Sequence, residues 1–256
     1  MDNQIERRIQ SSLDDIIAQD NVRILLAIES GSRAWGFSSK DSDYDVRFIY
    51  SRPIDAYLRI SDMRDVIELP IVDDLDINGW DLKKSLRLLL ISNPPILEWL
   101  SSPIIYRQDP IIEILRDAAK DFFDPVSTSY HYLSMAVKNH KHLQADLVSR
   151  KKYLYVLRPL FCIEWIMNNH TIPPMLFTKL VESSLCNSGD VVVVNAIKQL
   201  LIDKKNGKEL DKQPRISVLD TFIEKRLSEY RSRDFGKSKP HNIALADDVF
   251  LQVLRG

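Results

Sequence analysis

The sequence predicts an α+β fold, with a mixed sheet and helices over residues 1–124 followed by a helical bundle over residues 125–256. Three observations lead there. In the first half, short apolar runs suited to buried strands alternate with helical stripes. The texture changes near residue 125, and beyond it apolar residues recur at three- and four-residue spacing with few strand signals between them. At 256 residues and 45% hydrophobic content, the chain has material for one large or two small domains and for a core that needs no staples.

Taken in order, Ile5, Ile9, Leu13, Ile16 and Ile17 form a helical stripe, and residues 22–28 form a compact apolar run suited to a buried strand. A turn and short helix follow at Gly31. Residues 45–50, 65–69 and 71–77 read as three further strands, and residues 81–91 as a helix with Asp81 at its cap. Asn93-Pro94-Pro95 breaks the chain and Pro103 interrupts it again. Asp109-Pro110 then starts a helix over 111–123, because proline tolerates the first helical position. Helical spacing recurs over 130–147, 153–167, 174–185, 191–202 and 216–230. The polar stretch from Asp203 to Glu209, with one glycine, reads as a mobile loop.

Charge and cysteine content exclude several classes. With 35 Lys+Arg against 36 Asp+Glu there is no global field to draw in nucleic acid, so any basic site must be local. Cys162 and Cys186 have no Cys or His neighbour at metal-ligand spacing, which argues against zinc and against a disulfide framework. Met1 to Arg8 lacks the apolar centre of a signal peptide, and no uncharged apolar run approaches the roughly 18 residues that span a bilayer. The expectation is a soluble cytoplasmic protein with no membrane partner.

The chemistry is concentrated between Glu29 and Phe48. A Gly31-Ser32 pair between a buried strand and a helix presents backbone N–H groups and a hydroxyl where partial positive charge accumulates, a setting that suits phosphate oxygens. Glycine also lets the phosphate approach the backbone closely. Asp43 and Asp45 are two apart at the entrance to an apolar strand, so strand alternation places them on one face. Adjacent carboxylates repel unless a cation lies between them, and Mg²⁺ favours such sites completed by water and substrate phosphates. Taken singly, each feature has an ordinary explanation, as a plain turn or a polar loop. The functional reading of their combined order and spacing leans on a resemblance that the same residues carry.

Gly31-Ser32, Gly36, Ser42-Asp43 and Asp45 match the signature of the DNA polymerase β-like nucleotidyltransferase superfamily. Within it, the fuller strings from Gly31 to Phe37 and from Asp41 to Tyr50 resemble the RNA repair pathway DNA polymerase β family. Gly79 to Lys84, Asn93-Pro94, Glu98-Trp99-Leu100, Ser102-Pro103, Lys152-Tyr153, Tyr155, Arg158-Pro159 and Glu164-Trp165 extend that resemblance over roughly residues 20–170.

The resemblance implies a polymerase β-like catalytic domain over 1–124 and a transferase of the EC 2.7.7 type that moves NMP, most simply AMP from ATP, onto a hydroxyl. It implies two Mg²⁺ ions, with Mn²⁺ as the alternative, on Asp43, Asp45 and a third carboxylate from a neighbouring strand. Asp73, Asp74 and Asp76 are candidates and Asp81 a more distant one; Asp76 is preferred, with Asp74 in reserve on the same strand face. Gly31 and Ser32 would hold the β- or γ-phosphate. Arg33 and Arg47 flank the segment, and Arg33 is the better placed for substrate.

On the helical side, Lys151, Tyr155 and Arg158 fall at i, i+4 and i+7 with Lys152 beside them, so they could hold a nucleotide or simply form a solvated helix face. The leading acceptor is an RNA 3′ end, tRNA-like, in RNA repair. A protein side chain, as in antitoxin-type or AMPylating enzymes, is the alternative, and a catalytically silent nucleotide- or RNA-binding module a third. The histidines His140 and His142 point apart on a helix and lack a third ligand, and Trp80, Trp99 and Trp165 read as packing residues.

Overall fold

The structure is a computed structural model that describes residues 3–185, 190–207 and 212–256. Cys186, and Lys208 and Glu209 of the expected loop, lie outside the described residues. The chain has an α+β architecture and divides into two compact units. The first comprises residues 1–34, 43–123 and 240–256, and the second residues 35–42 and 124–239. The sequence texture marks a boundary near 125; the units add that residues 35–42 join the second unit and the C-terminal segment returns to the first.

The first unit is built on a five-stranded sheet in the order β3-β4-β2-β1-β5. Its strands are β1 (Arg23–Glu29), β2 (Tyr44–Ser51), β3 (Val66–Glu68), β4 (Leu75–Asp81) and β5 (Ile105–Gln108). β2 runs antiparallel to β1 and parallel to β4, and the parallel register sets Asp45 against Asp76 and Arg47 against Asn78. Helix α1 (Asn3–Asp20) lays the predicted stripe Ile5, Ile9, Leu13 and Ile16 on one face of the sheet, against Ala27, Val46, Phe48, Tyr50 and Ile77. Strand alternation therefore turns Asp45, Arg47, Asp76, Asn78 and Trp80 to the opposite face. The alternation that builds the core also builds the polar site.

The expected strand over 71–77 is corrected by the structure. Asp73 and Asp74 take left-handed backbone angles (φ 47° and 61°), and Val72 bridges Leu75 across them, so a two-residue turn joins β3 to β4. Such turns need positive φ at both central positions, which Asp tolerates better than most residues. Asp74 therefore lies in the turn, off the strand face that carries Asp76, and its carbonyl accepts the Tyr44 N–H at 2.7 Å.

A short turn α2 (Gly31–Ala34) follows β1, and α3 (Ile54–Tyr57) follows β2. Helix α4 (Leu82–Leu90) starts as predicted, with the Asp81 carboxylate accepting the Lys83 N–H at 2.8 Å. Helices α5 (Pro94–Leu100) and α6 (Ile112–Phe122) complete this stretch, with Pro94 at the start of α5.

In the second unit, α7 (Pro125–His140) packs against α8 (Lys151–Asn169), followed by α9 (Phe177–Leu185), α10 (Val191–Lys205) and α11 (Ser217–Ser232). The helix expected over 130–147 ends at His140. After a 3₁₀ turn (Lys141–Leu143), β6 (Leu147–Ser149) pairs antiparallel with β7 (Lys212–Pro214). Cys162 is buried in α8. The last helix, α12 (Ile243–Arg255), packs on α4 and α6 of the first unit. Among the described residues no helix is long and apolar enough to cross a membrane.

Candidate active site

The site is assembled where β1 ends and β2 and β4 begin. Glu29 closes β1, and the Ser30 N–H donates to the Asp45 carbonyl at 2.8 Å, tying the turn to the start of β2. Gly31 has φ 58°, in the left-handed region, and a Cβ there would overlap the Asp45 carboxylate. Glycine is thus required twice, for its backbone angle and for its missing side chain. Ser32, buried, sits in the first turn of α2.

Asp45 and Asp76 face each other across the parallel strand pair, and Arg47 holds both. Its Nη2 donates to Asp45 Oδ1 at 2.9 Å and to Asp76 Oδ2 at 2.7 Å, while Nη1 donates to the Asp76 carbonyl at 3.0 Å. Burial raises the pKa of Asp45; Arg47 opposes the rise, and the Asp76 and Asp43 charges add to it. A half-buried carboxylate among others of like charge is a place where additional positive charge is favourable. The donors are oxygens only, the set that a hard cation such as Mg²⁺ takes.

Asp43 lies one residue before β2 and is exposed. Its carbonyl accepts Arg33 Nε at 3.1 Å, and the Arg33 guanidinium lies 3.6 Å over the Tyr44 ring. Arg33 is thereby fixed against the entrance to β2. Among the described residues no three His, Cys, Asp or Glu side chains converge as they would around a metal ion. What converges is a pair of carboxylates with a guanidinium between them.

Two contributors escape a reading of the sequence. Glu29 is fully buried; its Oε1 accepts the Asp45 N–H at 2.8 Å, and the Tyr106 hydroxyl donates to its Oε2. Burial pushes its pKa up to about 7, against the lowering effect of the Tyr106 and Asp45 hydrogen bonds. Tyr106 comes from β5, far away in sequence, so no local pattern links it to Glu29. Arg47 did carry a signal: it lies two residues beyond Asp45 and must share its strand face.

Beside Asp76 opens a cavity of about 610 Å³ lined by Arg47, Asp76, Asn78, Trp80, Trp99 and Ile71 among others. Trp80 stacks on Trp99 with ring centres 3.8 Å apart. Trp99 is buried, as expected of a packing residue, while Trp80 is half-buried at the cavity wall.

The remaining candidates belong to the second unit. Lys151 and Lys152 open α8 and are half-buried, and Tyr155 is exposed. Arg158 is only 2% exposed, lies 4.3 Å over the Trp35 ring, and points Nη2 at the Met175 sulfur at 3.9 Å. Trp35 also meets Tyr155 edge-on at 5.6 Å, and Phe37 meets Phe177 at 5.5 Å. The motif from Gly31 to Phe37 is therefore divided in its work: Gly31-Ser32 joins the carboxylates, and Trp35 and Phe37 pack with α8 and α9.

Comparison with known proteins agrees with the family resemblance. Residues 5–252 match the sequence profile of the RNA repair pathway DNA polymerase beta family. The chain is 47% identical over 222 residues to the uncharacterized protein YcgL of Bacillus subtilis (strain 168), covering 86% of this chain and 84% of that one. A crystal structure of a nucleotidyltransferase-like protein from Exiguobacterium sibiricum aligns over 97% of this chain and 88% of that one, at 12% identity and a TM-score of 0.31, too weak a likeness to carry an argument.

Proposed function

Because the chain belongs to the RNA repair pathway DNA polymerase beta family, we propose that it is a nucleotidyltransferase that moves NMP, most simply AMP from ATP, onto the 3′ hydroxyl of an RNA. The observation that carries the reading is the pairing of Asp45 with Asp76 beside the Gly31 turn, on the solvent-accessible side of a sheet whose other face is core.

In this reading the acceptor hydroxyl gives up its proton to solvent, its oxygen forms a bond to the α-phosphorus as the bond to the bridging oxygen breaks, and pyrophosphate leaves. Gly31 and Ser32 bind the β- or γ-phosphate through N–H groups and the hydroxyl. Asp45 and Asp76, the pair that converges, would hold Mg²⁺, which when bound stabilises charge on the attacking and leaving oxygens, and Asp43 would have to turn toward them to serve as the further carboxylate that the family resemblance implies. Arg47 neutralises Asp45 and Asp76 between turnovers and keeps them in register. Arg33, held by Asp43 and Tyr44, presents positive charge at the mouth of the site. The cavity lined by Asp76 and Trp80 suits the acceptor nucleoside, with a flat ring for a base and a carboxylate near its hydroxyl.

The test is incubation with each labelled NTP and Mg²⁺ in the presence of tRNA, generic RNA or cell protein. Transfer to RNA should fall by about a hundredfold to a thousandfold in Asp45→Asn, the scale for losing a group that stabilises charge in the transition state. Transfer that survives this substitution at the wild-type rate sinks the mechanism, and label appearing on protein alone moves the acceptor to a side chain.

A further inference from the structure

A second cavity, of about 470 Å³, lies in the first unit, where six cations converge: Arg52, Arg59, Arg64, Lys83, Lys84 and Arg87. Arg52 follows the C-terminal end of β2, and Lys83 and Lys84 open the helix that follows the C-terminal end of β4. Asp45 and Asp76 lie at the opposite ends of these strands. Arg52 lies seven positions beyond Asp45, about 23 Å at strand spacing. The cavity is thus distinct from the candidate active site.

Carboxylates account for only part of this charge. Lys84 pairs with Asp65 at 3.1 Å and Arg64 pairs with Glu68. The Asp81 carboxylate accepts the Lys83 N–H and the Tyr57 hydroxyl, and Asp62 is the remaining acid of the lining. Arg52 donates to the carbonyls of Asp20 and Arg64, both at 3.4 Å, and lies 5.3 Å over the Tyr50 ring, and among the described residues Arg52, Arg59, Lys83 and Arg87 form no ion pair with a carboxylate. In a chain with a net charge of −1, this is a local excess of positive charge.

The placement also opposes the stability of the free protein. Lys83 and Lys84 stand in the first turn of α4, where the helix dipole disfavours cations, and Lys83 and Arg87 are like charges at i and i+4. Each effect costs a few tenths of a kcal/mol or more. An anion bound here reverses both. Leu58 and Ile60, on either side of Arg59, are fully or mostly exposed, and Met63 is exposed in the lining. Cations arrayed along a helix and a loop with apolar side chains between them suit a strand of alternating phosphates and bases better than one compact phosphate.

We propose that this cavity binds backbone phosphates of a single-stranded RNA, holding the acceptor at a distance from its reacting end. The identity of the polyanion rests on the RNA-acceptor reading above; the binding itself does not depend on catalysis. Binding of a labelled 12-nucleotide RNA is measured by fluorescence anisotropy against salt for the Asp45→Asn protein and for the same protein carrying Lys83→Ala and Arg87→Ala. Both side chains are exposed and, among the described residues, without an ion pair, and the substitutions relieve the like-charge and dipole cost, so the melting temperature should hold or rise slightly and not fall. Affinity should fall about tenfold, and the slope of log K against log salt should shrink by about 1.4, at 0.7 per phosphate contact on a single strand.

Unchanged affinity and slope in the double variant overturn the proposal, as does absence of RNA binding by the parent. A 5′-phosphorylated mononucleotide that binds as tightly as the 12-mer would mean that the site reads a single phosphate and would overturn the polynucleotide reading. Binding to vesicles containing phosphatidylserine in place of RNA would reassign the patch to a lipid surface. In the catalytically intact protein, the double substitution should slow transfer to the 12-mer and spare transfer to a dinucleotide. A failure of transfer altogether leaves the binding result standing, so the two readings fail separately.

Discussion

Glu29 shows how far a single buried side chain can govern the candidate site. Its carboxyl holds the Asp45 N–H on one oxygen and the Tyr106 hydroxyl on the other, with no exposure to solvent. Burial raises its pKa from 4.5 to about 7, so the folded protein keeps the proton that the unfolded chain has already lost over this interval. The stability contributed by the protonated form is complete below pH 4.5 and is lost as pH rises through about 7. Replacement by glutamine keeps the shape and removes the titration. Glu29→Gln should therefore flatten the decline in melting temperature between pH 5 and 8, a difference on the order of 3 kcal/mol at the upper end. Parallel pH profiles for the two proteins would contradict the assignment of the proton to Glu29. Nothing in the neighbouring sequence announces this residue, because its partners come from β2 and β5.

At the scale of elements, the clearest agreement between sequence and structure is the start of α4. Asp81 was legible as a cap because an acidic residue precedes a helical stripe, and its carboxylate does accept the Lys83 N–H. The structure adds the Tyr57 hydroxyl, which donates to the same carboxylate at 2.9 Å and joins α3 to α4. Asp81→Ala removes both interactions and should destabilise the protein by about 1–3 kcal/mol. Chemical denaturation would register the loss, and a stability unchanged from wild type would mean that neither bond matters. The hairpin between β3 and β4 was less legible. Its apolar residues run through the turn, so hydrophobic pattern alone extends a strand across Asp73 and Asp74, and only their backbone angles reveal the reversal. That turn places Asp76, and not Asp74, opposite Asp45.

At the scale of the whole molecule, the chain leaves the first unit at residue 34, re-enters it at 43, and returns to it a last time at 240. The final return buries Ala246, Val249 and Val253 of α12, which packs on α4 and α6. Truncation after Lys239 removes no residue proposed for chemistry, yet it strips that cover from the first unit. The melting temperature should drop sharply, with several kcal/mol of apolar burial lost; an unaltered melting temperature would show α12 to be dispensable. Sequence by itself determined the α+β class, the helical stripe of α1 and the predominance of helix beyond residue 125 among the described residues, and it singled out Gly31, Asp43 and Asp45 as candidates. All of these rest on periodicity or on residues a few positions apart. Only the tertiary structure decided that Arg47 lies between Asp45 and Asp76, that Glu29 and Tyr106 support Asp45 from behind, and that α12 belongs with the first unit. The reason is physical: local patterns fix which face of an element is apolar, while the register of β2 on β4 and the return of the chain end are set by packing between segments distant in sequence.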